Sequence, residues 1–463
     1  MSNGSAIDQR YVWHPFTQMK EWTDPDTPPL MIVGGEGAEL IDEDGNRYID
    51  GNASIWTNLH GHRVPELDEA IQEQLGKIAH CSSLGMASQP AAELAYGLLK
   101  MFYQDSEESD WQHRVFFSDD GSTAMEAALK MVHQARQQRG EANRQTMISL
   151  STGYHGDTVG AMSIGQSPLF HQTYKDLLFP TKEVMRPACY RCPYNQAKPV
   201  KGQEARLSRK CHFECVGEMK QAISEAGEAA SAVVMEPSVQ GAGGMAMMPE
   251  GYLREVADLC QQNGLWLILD EVMTGFGRTG APFACHKEEV IPDLLALGKG
   301  MTGGYLPMAA TLVHDQIYEA FLGEYEELKT FFHGHSYSGN PLGAAVSNAN
   351  LRLLQERGFD QAKALEDNLQ QHAPLFWELD HVGDVRQEGP ILAIELVEDF
   401  SSAQSFPFQR RIGHQVCQEC RKRGLLTRPI LDVLVLMLPY AAGEEQVESA
   451  ASILRESIEA VLG

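Results

Sequence analysis

Between Arg114 and Val313, six short apolar runs alternate with stretches of helical periodicity: "RVFF", "TMISL", "SAVVM", "LWLIL", "DLLAL" and "MAATLV". This alternation restricts the fold more than any other feature of the chain. Runs that are apolar on both faces need cover on both faces. The expectation is an α/β architecture, a mostly parallel sheet between layers of helix. Ligands of such sheets bind beyond the carboxyl ends of the strands. The residues that follow each run are therefore the ones to read for chemistry.

The chain has 463 residues, enough for more than one domain. After Gly343 the pattern changes to a long helix ("AAVSNANLRLLQE") and then to helices with short strands ("ILAIEL", "VLVLML"), so residues 344–463 read as a smaller α+β domain. Residues 1–80 carry a strand pair, "AELIDEDGNRYIDG", and are expected to join that smaller domain, leaving 81–343 as the large one. Within it, Arg186 to Lys210 is basic, irregular and cysteine-bearing, and reads as an insert reaching to about residue 230. A net charge of −26 argues against nucleic acid or an anionic membrane as partner. The first residues lack the apolar core of a signal peptide, and no apolar run is long enough to span a bilayer. Nine scattered cysteines suit a reducing compartment, and the expected location is the cytoplasm.

The strand ends carry the chemistry. In "LALGKGMTGGYLPMAA", Lys299 sits between two glycines within an apolar stretch. A desolvated amine with space around it is what a Schiff-base nucleophile requires, although a lysine in a glycine-rich surface turn looks the same. After "RVFF", the spacing of Met125, Leu129 and Val132 predicts a helix from about Gly121. Its free N–H groups, with the Ser122 and Thr123 hydroxyls, could hold a phosphate or simply form an ordinary cap. Asp270 ends "LWLIL", where it could keep a heterocyclic nitrogen protonated or cap the next segment. Tyr154 or His155, after "TMISL", could stack on a flat ring or merely pack, and Glu236 is a further acid at the end of "SAVVM". "GFGRTG" (275–280) spells a dinucleotide fingerprint but lies five residues beyond its strand and runs into Pro282, so the match is fortuitous. Phosphate pocket, aromatic, acid and lysine in this order describe a pyridoxal 5'-phosphate site.

The run "LILDEVMTGFGRTGAPFACHKEEVIPDLLALGKGMTGG" resembles the class III (ω) aminotransferases of pyridoxal-phosphate fold type I, and the likeness extends from about Trp13 to Pro439. Within the class, "VWHPFTQM", "LHGH", "YHGDTVGAMS", "VQGAGGM" and "HGHSYSGNPL" resemble the 8-amino-7-oxononanoate aminotransferases of biotin synthesis. The resemblance implies roles for particular residues. Lys299 carries the cofactor and moves the proton, Asp270 serves the ring nitrogen, and Tyr154 packs on the ring. Gly121 and Ser122 hold the phosphate, and Ser336 reaches the phosphate of the other subunit of a homodimer with shared sites. His155, Glu236 and Val272 complete the cofactor contacts. Arg428 binds the substrate carboxylate, while Phe16, Ile55, Trp56 and Arg278 line the substrate side. The implied partners are a small keto acid and an amino donor. Ile55 stands where the S-adenosylmethionine-using branch has a second tryptophan, and Phe16 where it has tyrosine. Both resemble the branch that uses lysine.

Two other readings compete. A diamine or general ω-amine:pyruvate/2-oxoglutarate transaminase would share every cofactor residue. Alternatively the insert is a metal-binding interaction module, since Cys189, Cys192, Cys211 and Cys215 read C-x2-C-x18-C-x3-C, close to zinc spacing. The basic residues around it (Arg186, Arg191, Lys198, Lys201, Arg206, Arg209, Lys210) could then dock an acidic partner. Whether these cysteines hold metal is left open at this level. Cys417 and Cys420 fall mid-helix and read as ordinary packing.

Overall fold

The computed structural model describes residues 3–104, 106–165 and 167–463. Seven strands form the large sheet: β1 (His113–Ser118), β2 (Thr146–Leu150), β3 (Lys182–Val184), β4 (Ala230–Met235), β5 (Trp266–Asp270), β6 (Leu294–Leu297) and β7 (Ala309–His314). Their order across the sheet is β1-β7-β6-β5-β4-β2-β3. Only β7 runs against its neighbours, so the sheet is mostly parallel, as the apolar runs predict.

Period-two alternation divides the strand residues between two cores. Ala232 and Val234 of β4, Ile268 of β5 and Ala296 of β6 face the helix Gly121–Gln138, which buries Ala124, Met125, Ala128, Leu129 and Val132 against them. Val233, Met235, Leu267, Leu269, Leu295 and Leu297 face the other way, into a core shared with Phe276, Phe283 and Met301. Register brings the functional ends level: Leu269 pairs with Met235 and Asp270 with Ala296. The residues just past β1, β2, β4, β5 and β6 therefore share one edge of the sheet.

The rest of the chain closes over that edge. Arg47–Asp50 near the N-terminus pairs in parallel with Leu425–Leu426, tying the first residues to the C-terminal part. A second sheet comprises Val382–Glu388, Ile391–Leu396 and Val433–Leu436. The long helix is Pro341–Leu353, started by the Asn340 side chain, which accepts from Leu342 and Gly343 N–H.

The insert differs from expectation in two ways. Its irregular part ends at Phe213. Glu214–Ala226 is a helix whose Cys215, Met219, Ala222 and Ile223 join the main core, so the stretch up to residue 230 is not all insert. Three of its seven cations also bond back onto the protein. Lys201 Nζ donates to the Leu379 and Val382 carbonyls. Arg191 pairs with Glu395, and Arg206 pairs with Glu204 and Glu388. Arg191, Lys201 and Arg206 thus fasten the insert to the smaller sheet, where they cannot form an outward docking patch. Sequence spacing carries no information about which way a loop faces.

Candidate active site

A cavity of about 470 Å³ opens at the shared strand edge, lined by Gly121, Ser122, Tyr154, His155, Glu236, Asp270, Val272 and Lys299 among others. Eight of the residues expected from sequence are thus brought to one place. Lys299 opens the turn that follows β6, with φ +40°, a left-handed value unusual for a side chain with a Cβ. Gly298 allows this turn to approach the start of the first strand's helix. A Cβ there would stand 3.3 Å from Val272 Cγ1 and 3.5 Å from Gly121 Cα. Burial pushes the Lys299 ammonium below its ordinary range, while the charges of Asp270 and Glu236 pull it back. Its Nζ lies 5.6 Å from the centre of the Trp56 ring.

Asp270 Oδ2 is 2.7 Å from His155 Nδ1, both side chains being buried, and Asp270 Oδ1 accepts from Val272 N–H at 3.0 Å. For His155 burial disfavours charge. The hydrogen bond to Asp270 and the negative charges of Asp270 and Glu236 more than offset it, and the imidazole is raised above its ordinary value. Glu236 accepts from Gly241 N–H (2.9 Å) and Tyr154 N–H (3.2 Å). Burial still drives its carboxyl up to about 7. The neighbouring Glu271 faces away and holds Ala284 and Cys285 N–H in the core, so of two adjacent acids only Asp270 serves the cavity.

At the other end Asp120 caps the helix by accepting from Thr123 N–H, and the Thr123 hydroxyl completes that cap. Thr123 is therefore occupied by the fold. Gly121 and Ser122 keep N–H groups with no protein acceptor among the described residues. Gly156, at φ +118°, packs on Ser122 so closely that a Cβ would lie 2.0 Å from Ser122 Oγ.

A second cavity, about 1000 Å³, joins the first through Trp56, Tyr154 and Ala242. Phe16, Ile55 and Arg428 line it, as expected on the substrate side. Ile55 and Trp56 reach it from four consecutive left-handed residues, Ala53 to Trp56, with φ of 46°, 50°, 61° and 66°. Such a turn costs about 1–2 kcal/mol per residue. It is held by the Asp50 carboxylate, which accepts from Ser54 N–H and Oγ and meets His62 Nε2 at 3.0 Å. Phe170 was not legible in the sequence. It stands edge-on between Phe16 and Tyr154, at 5.4 and 5.8 Å, and extends the aromatic wall.

Two expected residues lie elsewhere. Arg278, expected on the substrate side, is 1% exposed and lines neither cavity. Its guanidinium donates to the Leu438 and Asn58 carbonyls (3.0 and 2.7 Å) and lies over Tyr440. It clamps the N-terminal segment to the C-terminal part, a long-range role that a local motif cannot show. Ser336 is exposed and outside the cofactor cavity of its own chain. In the insert, Cys189 and Cys215 are buried and Cys192 and Cys211 partly so. Among the described residues no group of three or more His, Cys, Asp or Glu is placed to hold a metal ion.

The class-III aminotransferase family profile matches residues 22–458. The chain belongs to the class III aminotransferases. The chain is 44% identical over 458 residues to an adenosylmethionine-8-amino-7-oxononanoate aminotransferase of Geobacter sulfurreducens, covering 98% of this chain and 97% of that one. A crystal structure of the enzyme so named from Methanocaldococcus jannaschii superposes with a TM-score of 0.89 at 38% identity, over 99% of this chain and 98% of that one. An amine transaminase from an uncultivated Pseudomonas species, in a PLP-bound form, superposes with a TM-score of 0.87 at 31% identity over 97% and 99% of the two chains.

Class III aminotransferases depend on pyridoxal phosphate, and the residues of this aminotransferase fit that group. The bare N–H groups of Gly121 and Ser122 suit a phosphate. The Asp270 carboxylate lines the same cavity, with His155 and Val272 N–H fixing its orientation. Lys299 opens into the same space.

Proposed function

We propose that this class III aminotransferase converts 8-amino-7-oxononanoate to 7,8-diaminononanoate, with pyridoxal phosphate held by Lys299, Asp270, Gly121, Ser122, Tyr154, His155, Glu236 and Val272. One observation carries the substrate reading. The larger cavity, whose lining is more apolar than polar, has Trp56 and Tyr154 where it meets the first and includes Arg428, exposed and with no ion pair among the described residues. An acyl chain with a terminal carboxylate matches that shape and charge, since guanidinium takes carboxylate as a fork. The names of the relatives support the same acceptor and give adenosylmethionine as the amino donor.

When bound, the cofactor supplies a carbonyl for the substrate amine and a ring that accepts electrons from the Cα–H bond. The chain's own groups do the rest. Lys299 Nζ, whose basicity burial lowers, takes the Cα proton and returns it. Asp270, oriented by His155 and the Val272 N–H, holds the proton on the ring nitrogen. Trp56, Tyr154 and Phe170 exclude water from the reacting end. Donor and acceptor use this one site in turn.

A homodimer belongs to the proposal. Ser336, exposed on its own chain, would contact the phosphate in the other subunit. Among the described residues no helix is long and apolar enough to cross a membrane. Nine unpaired cysteines support a reducing cytoplasm. The test is single-turnover amination of 8-amino-7-oxononanoate by the amine-loaded enzyme, followed by the cofactor's absorbance. Rapid turnover of pyruvate or 2-oxoglutarate with simple ω-amines, and none of the nonanoate, would refute the substrate and favour the general ω-amine transaminase.

A further inference from the structure

The left-handed residues from Ala53 to Trp56 include no glycine. Strain of this kind persists only where the surroundings over-determine it, and it gathers at functional sites. Here it carries Trp56 to the junction of the two cavities, beside Lys299. The chain is held on both sides of this turn.

Before the turn stands Asp50, the last residue of the strand Arg47–Asp50 and 1% exposed. Its Oδ1 accepts from Ser54 N–H at 2.9 Å, and its Oδ2 accepts from the Ser54 hydroxyl at 2.7 Å. Oδ2 also meets His62 Nε2 at 3.0 Å. Asn58 Oδ1 accepts from Gly61 N–H, so the Asn58 amide nitrogen donates to His62 Nδ1 and leaves Nε2–H to donate to Asp50. Each carboxylate oxygen thus faces a donor, and an amide nitrogen in place of either would meet one.

After the turn the chain packs on the loop that Lys299 opens. A Cβ on Gly304 would stand 2.8 Å from Asn58 Cα, and one on Gly300 would stand 3.1 Å from Leu59 Cδ1. A Cβ on Gly241 would stand 3.3 Å from Trp56 Cζ3, so the indole is closed in on that side as well.

We propose that Asp50 is a positioning residue for the reaction at Lys299. Its carboxylate, with His62 behind it, holds the left-handed turn and through that turn seats Trp56 where the cavities meet. Asp50 itself lines neither cavity. This rests on the reading above that substrate passes Trp56 to reach Lys299. Asp50 has a second neighbour in Arg278: burial pushes that guanidinium below its ordinary value, and the charges of Tyr440 and Asp50 oppose the shift. A loss of stability in a variant would therefore say nothing about the reaction, and a double-mutant cycle is needed.

The cycle is run on the holoenzyme, reading kcat/KM for 8-amino-7-oxononanoate and the visible circular dichroism of the bound cofactor. Asp50→Asn keeps the size and removes one acceptor, and should lower kcat/KM about tenfold in the otherwise native chain. In a Trp56→Ala background the same change should lower it by less than about twofold, because the residue it acts through is gone. The dichroism of Asp50→Asn should move towards that of Trp56→Ala. Ser54→Ala gives up only the hydroxyl bond and should show the same pattern at about threefold, which serves if Asp50→Asn does not fold. Equal losses in both backgrounds would make Asp50 merely structural and overturn the proposal. An unchanged kcat/KM or a native dichroism in Asp50→Asn would overturn it too. Failure of the substrate reading is separate: the wild type then leaves the nonanoate unaminated, and the cycle is read with the ω-amine it does turn over.

Discussion

Replacing Glu236 by glutamine removes a buried carboxyl that holds its proton up to about pH 7, against 4.5 for the exposed group. That rise corresponds to about 3 kcal/mol. Between pH 4.5 and 7 the folded chain binds more protons at this group than the unfolded chain does. Stability contributed by the protonated carboxyl is therefore lost as pH rises through that window. For 463 residues the unfolding entropy is about 1 kcal/mol per degree, so the loss amounts to about 3 °C in the thermal midpoint. In Glu236→Gln this decline should flatten. The amide can accept from only one of Gly241 N–H and Tyr154 N–H, which lowers the midpoint by the same amount at every pH and leaves the slope as the readout. Scanning calorimetry of both proteins from pH 5 to 7.5 measures it. Parallel curves would refute the claim that burial keeps Glu236 protonated.

Lys299→Ala should abolish the borohydride-sensitive visible absorbance of the holoenzyme and lower transamination by about 10²–10⁴-fold, and near-normal turnover would end the mechanism. Ile55, 42% exposed at φ +61°, carries the strain of a β-branched residue in a left-handed turn. Ile55→Gly should raise the calorimetric midpoint by about 1 °C, because the relieved strain exceeds the added chain entropy, and a lower midpoint would show that the turn is not strained. With one indole at the cavity neck and Phe16 at its wall, lysine should convert the cofactor faster than S-adenosylmethionine does, since a second ring is worth about 0.5–2 kcal/mol to a sulfonium. Conversion by S-adenosylmethionine with no response to lysine would reverse the donor assignment. Burial raises the Cys189 and Cys215 thiols to about 12 and about 11, so both should alkylate far more slowly than a free thiol. Fast reaction of all four insert thiols, or about one zinc per chain by metal analysis, would contradict that.

Local pattern alone placed the strands β1, β2, β4, β5, β6 and β7, because each is a short apolar run bounded by turn residues. It also placed Gly121, Tyr154, Glu236, Asp270 and Lys299 at one edge, since parallel strands direct their carboxyl ends the same way. What lies between distant segments was not legible. Arg278 belongs to a motif beside the site, yet its partners are carbonyls 220 and 160 residues away in sequence, so only the folded chain shows it as a clamp. The insert's cations read as an exposed patch until the smaller sheet supplied Glu388 and Glu395. Periodicity and strand-end chemistry are local and survive in a bare sequence, whereas pairing of charges and the facing of loops depend on contacts between residues far apart in the chain.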